Sequence, residues 1–134
     1  DEQFPIYTNT PNLPPSYIEN SNVQNSLLAE GSRVYEAKLT NCILGQCSKV
    51  GRNVEMENVY MMGADYYNGK ESHIGEGSII KNAIIDKNVY IGRNVKIINV
   101  NKLRKEVISA ANYTVSEGLV VIPKDAVIPD GTVI

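Results

Sequence analysis

The sequence predicts an all-β fold, a left-handed parallel β-helix, on two observations. Aliphatic residues or close substitutes recur at steps of five or six, and several are followed by a small, acidic or amide residue. The first block runs Ile18, Val23, Leu28, Val34, Leu39, Leu44, Val50, Met56 and Met61. The beat resumes at Ile74, Ile80, Ile85, Ile91 and Ile97, and a third block gives Ile122, Ile128 and Ile134. Such a step fits neither the 3.6-residue period of a helix nor the period of two of an isolated amphipathic strand. It is the hexapeptide repeat of a parallel β-helix. The left hand is taken from the repeat type, against the usual right-handed crossover preference.

Each element follows in order. Residues 1–17 carry Pro5, Pro11, Pro14 and Pro15, and proline fixes φ and holds its predecessor extended, so this stretch is a connector. Residues 18–134 form the β-helix domain. Three steps close a triangular coil with each aliphatic pointing inward, while Gly45, Gly75 and Gly92 permit sharp corners. One coil cannot bury its own apolar face, so stability comes from stacking. Residues 62–73, with Gly63 and Gly69 and several polar and aromatic residues, are expected to loop out between coils. Residues 100–118 are a second interruption, expected to be short and helical or irregular, with Lys102, Arg104 and Lys105 on its solvated face. The last block is expected to cap the stack as a partial coil.

Composition excludes several function classes. The chain has 134 residues, enough for one domain, and a formal charge of −2 with 43% hydrophobic residues, unlike a basic nucleic-acid binder or a disordered chain. No apolar run reaches the roughly 18 to 20 residues needed to cross a bilayer. The start lacks the regions of a signal peptide, so a cytoplasmic setting without a membrane partner is expected. Cys42 and Cys47 are too few and wrongly spaced for a redox pair or a zinc site, and are read as reduced thiols in or near the core.

Three segments carry a family resemblance: MMGADYY (Met61–Tyr67), HIGEGSIIKNAIIDKNVYIGRNVKIIN (His73–Asn99) and VVIPKDAVIPDGTVI (Val120–Ile134). With the connector pieces PIYT and LPPS, they resemble glucose-1-phosphate adenylyltransferase, also called ADP-glucose pyrophosphorylase, over essentially the whole chain. The resemblance implies a C-terminal domain. The enzyme's N-terminal nucleotidyltransferase domain joins ATP to glucose 1-phosphate, giving ADP-glucose and pyrophosphate for glycogen or starch synthesis. That chemistry needs a glycine-rich phosphate loop and carboxylates for Mg²⁺. The sequence has no such loop, so no catalytic residue, cofactor or metal site is expected here, and Mg²⁺ is expected in the N-terminal domain.

The resemblance implies that this domain assembles homo- or hetero-oligomers and helps to bind a phosphorylated metabolite effector. Lys87, in IIDKN, and Lys124, in IPKDA, match the family's activator-site lysines. They are 37 residues apart, and folding the last block against the final coil would bring them together. Arg93 and Lys96 are expected to add to the positive field. The match has departures: the loop after GADYY is short for the photosynthetic branch, and Tyr17 stands where a lysine often follows LPPS. Tyr66 and Tyr67 suit either an intersubunit contact or packing on the chain's own β-helix. Two other readings stay open. One is a hexapeptide-repeat acyltransferase with His73, the single histidine, as general base between subunits. The other is a purely structural assembly module.

Overall fold

The computed structural model describes residues 15–65, 71–100, 102, 105–108 and 113–134, with no side-chain description at 105–108. Its regular part is a parallel β-helix of short strands on three sides. The first side is a six-stranded sheet in the order β1 (Tyr17–Glu19), β4 (Arg33–Tyr35), β7 (Ser48–Val50), β9 (Ser72–Ile74), β11 (Tyr90–Ile91) and β16 (Val127–Ile128), one strand per coil.

The second side stacks β2 (Asn22–Gln24), β5 (Lys38–Thr40), the first half of β8 (Glu55–Met61), the first half of β10 (Ile79–Ile85) and β12 (Lys96–Ile97). The third stacks β3 (Leu27–Leu28), β6 (Ile43–Leu44), the second halves of β8 and β10, and β15 (Leu119–Ile122). All these pairings are parallel. Five coils are thus complete, and β16 with the bridge Lys96↔Val133 begins a sixth.

The register explains the repeat. Leu39 pairs with Met56, Met56 with Ile80 and Ile80 with Ile97, so each inward aliphatic rests on its equivalent in the next coil. Twelve large side chains, among them Val34, Leu44, Met61, Ile74 and Ile122, are fully buried in this column. Small residues that precede the strands, including Ser32, Ala37, Cys42 and Ser78, fill the corners. Ile18 keeps the inward register, paired with the buried Val34, yet it is 49% exposed. It belongs to the outermost coil, where Val23 and Leu28 are only partly buried.

The corners turn through left-handed backbone, which costs an ordinary L residue roughly 1–2 kcal/mol and costs Asn or Gly less. Asparagine therefore recurs there, at Asn20, Asn25, Asn41, Asn53, Asn58, Asn82, Asn88, Asn94 and Asn99. Asn58 and Asn82 bend β8 and β10 from the second side to the third. Their amides form a ladder, Asn41 Nδ2 donating to Asn58 Oδ1 at 3.2 Å and Asn58 Nδ2 to Asn82 Oδ1 at 3.0 Å.

Two excursions leave the coil. The first departs after Met61; Tyr66 and Tyr67 lie outside the described residues, and the chain is back in a strand at Ser72. The second leaves after the second side of the fifth coil. The helical expectation for residues 100–118 is corrected: the described part is antiparallel, β13 (Lys105–Ile108) pairing with β14 (Tyr113–Ser116) and β14 with β15. Glu117 and Gly118, with φ of 51° and 82°, make a two-residue hairpin turn between Ser116 and Leu119, whose positive φ values match the twist of paired strands. Lys102 is exposed and Lys105 stands in a strand rather than on a helix; Arg104 lies outside the described residues. The last block is also more than a cap, since Ile122 closes the third side of the fifth coil.

Candidate functional site

The corner between the third and first sides has the same pattern in two adjacent coils, an inward isoleucine with lysine two residues on, in Ile85-Asp86-Lys87-Asn88-Val89 and Ile122-Pro123-Lys124-Asp125-Ala126. The pairing Ile85↔Ile122 puts these corners in register. The Asp86 N–H donates to the Ile122 carbonyl at 3.0 Å, and the Asp125 N–H to the Lys87 carbonyl at 3.0 Å. Lys87 and Lys124 therefore occupy equivalent, exposed positions one coil apart, a separation of about 5 Å between neighbouring backbones. The left-handed residues Asn88 and Asp125 complete the two turns.

A carboxylate from the first excursion meets this corner. Lys87 Nζ donates to Asp65 Oδ1 at 3.1 Å, and the Asp65 N–H donates to Asn88 Oδ1 at 3.3 Å. The hydrogen bond from Lys87, with the charges of Lys87 and Lys124, holds the Asp65 carboxyl below the usual carboxylate range against some desolvation. Both lysines thus act on one carboxylate. Asp65 is the residue that sequence reasoning missed, and its only signal was an acid beside the loop glycine in GAD. The arrangement presents two exposed ammonium groups whose resident counter-ion, Asp65, is held by a solvent-accessible ion pair, a suitable receptor for an exchangeable anion.

The other two expected cations stand elsewhere. Arg93 lies at the next corner, between the first and second sides, where its N–H donates to Asp130 Oδ1 at 2.8 Å. Lys96 is exposed on the second side, its backbone bonded to Thr132 and Ile134. His73 points outward from β9 and stacks on Tyr90, with ring centroids 4.7 Å apart and planes at 16°. Burial, reinforced by Lys49, keeps its imidazole below the ordinary histidine range. Cys42 is buried and Cys47 partly buried, both as free thiols, and burial pushes the Cys42 thiol up.

Residues 11–133 match the family described as the GLGC left-handed parallel beta-helix domain. The chain belongs to this β-helix domain family of glucose-1-phosphate adenylyltransferase. The GLGC match also supplies the left hand of the coil. The chain is similar to the small subunit of glucose-1-phosphate adenylyltransferase, chloroplastic/amyloplastic, of Triticum aestivum: 37% identical over 146 aligned residues, covering 100% of this chain and 31% of that protein. This GLGC domain thus spans about a third of the length of that relative.

Proposed function

We infer that the chain is the regulatory and oligomerisation domain of a glucose-1-phosphate adenylyltransferase, binding a phosphorylated effector at the corner formed by Lys87 and Lys124. The parent protein joins ATP and glucose 1-phosphate through a nucleotidyltransferase domain outside this chain. Its product is ADP-glucose, for glycogen or starch synthesis in the cytoplasm. The observation that carries the reading is the pair of stacked corners with Asp65 between their charges. A phosphate near neutral pH bears close to two negative charges, and two fixed cations on a rigid solenoid meet it at little ordering cost. Arg93 and Lys96 add to the positive field of the same domain, and assembly with like or unlike subunits uses its flat sides.

The test is the effector response of the full-length protein, assayed with ATP and glucose 1-phosphate across a panel of phosphorylated metabolites. Lys87→Ala and Lys124→Ala should each raise the half-activating concentration about tenfold, with unactivated turnover nearly unchanged. Equal loss of unactivated turnover in both variants would place the lysines in folding rather than in effector binding.

A further inference from the structure

The first side carries a second cationic feature, away from the Lys87 corner. Directly after the inward aliphatics of its strands come Glu19, Tyr35, Gly51, Gly75, Gly92 and Pro129. Three successive coils therefore place no side chain at this position. Coil stacking demands this: a Cβ on Gly75 would run into the backbone of Gly92 and Arg93, and one on Gly92 into Asp130. A trench runs along the helix axis over this glycine strip, with Tyr35 among its lining residues.

One wall is Lys49, His73 and Tyr90, paired in register across β7, β9 and β11. The other is Arg52, Glu76 and Arg93, the residues that follow the glycines. Together they enclose a groove of about 500 Å³, within the size range of small-molecule sites. Arg52 is already engaged, by Glu36 at 3.0 Å and Glu19 at 3.4 Å, and lies over the Tyr35 ring. Among the described residues neither Lys49 nor Arg93 has an ion-pair partner; they stand on opposite walls two coils apart, with the exposed Glu76 on the coil between them. The Nδ1 atom of His73 has no hydrogen-bond partner in this wall.

We propose that this trench binds a small organic phosphate, with its phosphoryl group between Lys49 and Arg93 and its organic part over Gly51 and Gly75 beside Tyr35 and Tyr90. A guanidinium on one wall and an ammonium on the other match a dianion that accepts bonds from both directions. The aromatic rings give its organic part an apolar boundary. This site is separate from the effector corner and does not depend on it.

The experiment is isothermal titration calorimetry of the full-length protein with ribose 5-phosphate and with inorganic phosphate as probes. It compares the wild type, the double variant Lys49→Gln with Arg93→Gln, and the double variant Lys87→Ala with Lys124→Ala. The expected result is a saturable ribose 5-phosphate site, at least about threefold tighter than for inorganic phosphate. It weakens about tenfold or more in the Lys49 and Arg93 variant and persists in the Lys87 and Lys124 variant. An unchanged urea midpoint shows that the weakened variant is folded; a second variant, Arg93→Lys, should retain part of the affinity. The proposal is overturned by equal affinity for the two probes, by the absence of saturable binding, or by a site lost with Lys87 and Lys124 and kept without Lys49 and Arg93. An acidic protein segment as the natural occupant would give the second of these results.

Discussion

Replacing Gly75 with alanine tests the stacking argument at its tightest point. The added Cβ would lie 2.7 Å from the amide nitrogen of Arg93, and nearer still to the carbonyl oxygen of Gly92, where ordinary contact begins at 3.4 Å. Both atoms are backbone of the next coil, so no side-chain rotation relieves the clash. The coils must separate locally, which strains the bonds from the Gly75 N–H to Ile91 and from the Asn94 N–H to Glu76, each 2.8 Å. Overpacking costs typically 1–3 kcal/mol, and weakening two such bonds adds about 1 kcal/mol each, so the loss should be about 3 kcal/mol or more. Against a total stability of roughly 5–15 kcal/mol this is a large fraction. Gly118→Ala is the control: its Cβ meets nothing within 4 Å, and only its φ of 82° is strained, at about 1 kcal/mol. Urea unfolding followed by far-UV circular dichroism reads both, the chain having no tryptophan for fluorescence. If Gly75→Ala is no more destabilising than Gly118→Ala, the claim that glycine is required there by the neighbouring coil is wrong.

The other expected outcomes concern burial, protonation and the resident counter-ion. Ile80→Ala, in the middle of the column, should cost about 2–5 kcal/mol, whereas Ile18→Ala, half exposed in the outermost coil, should cost under about 1 kcal/mol; urea midpoints of the two variants check the gradient. Because the folded pKa of His73 lies below its unfolded value, the unfolded chain binds the proton more readily. Its contribution to stability is therefore complete above about pH 6.5 and is lost as pH falls through that value toward the depressed folded one. His73→Asn should flatten the fall in urea midpoint between pH 7.5 and pH 5.5, and an unaltered slope would refute the assignment. The charges facing His73 are Lys49 and, across the trench, Arg52, Glu76 and Arg93, and none is removed by that substitution. Asp65→Asn should lower the half-activating effector concentration by up to about fivefold, since an exposed ion pair is worth at most about 1 kcal/mol; a raised concentration in the activation assay would make Asp65 a ligand-organising group instead.

The inward column was legible because its period is enforced by stacking, and Leu39, Met56, Ile80 and Ile97 pair as equivalents. What the repeat did not announce is how the corners are made. The repeat suggests glycine as the corner residue, yet asparagine takes more of the left-handed positions; its recurrence from Asn41 to Asn58 to Asn82 to Asn99 is the signal in the sequence. The strand pairing of 105–108 with 113–116 runs against the helix-forming residues of NKLRKEV. The Glu117-Gly118 turn between Thr-Val-Ser and Leu-Val-Val was the competing signal, and pairing with β15 overrides local propensity. The equivalence of Lys87 and Lys124 was visible in part, since each stands two residues after an inward isoleucine. Asp65 was not visible, because its contact depends on the course of an excursion that obeys no repeat.

The 37 residues between Lys87 and Lys124 show how a solenoid brings distant groups together. Equivalent residues in uninterrupted neighbouring coils are about one coil length apart, as Ile80 and Ile97 are. Ile85 and Ile122 are further apart only because the second excursion is spliced into the fifth coil between its second and third sides. Splicing leaves the register untouched, since β15 settles on β10 as a continuous coil would. Both excursions bear on this corner: the first leaves beside it and supplies Asp65, and the second returns just before Lys124. The regular coils thus fix the two cations on a rigid frame. The groups that modulate them arrive on segments whose length can vary without disturbing the stack, which separates what holds the fold from what tunes the candidate site.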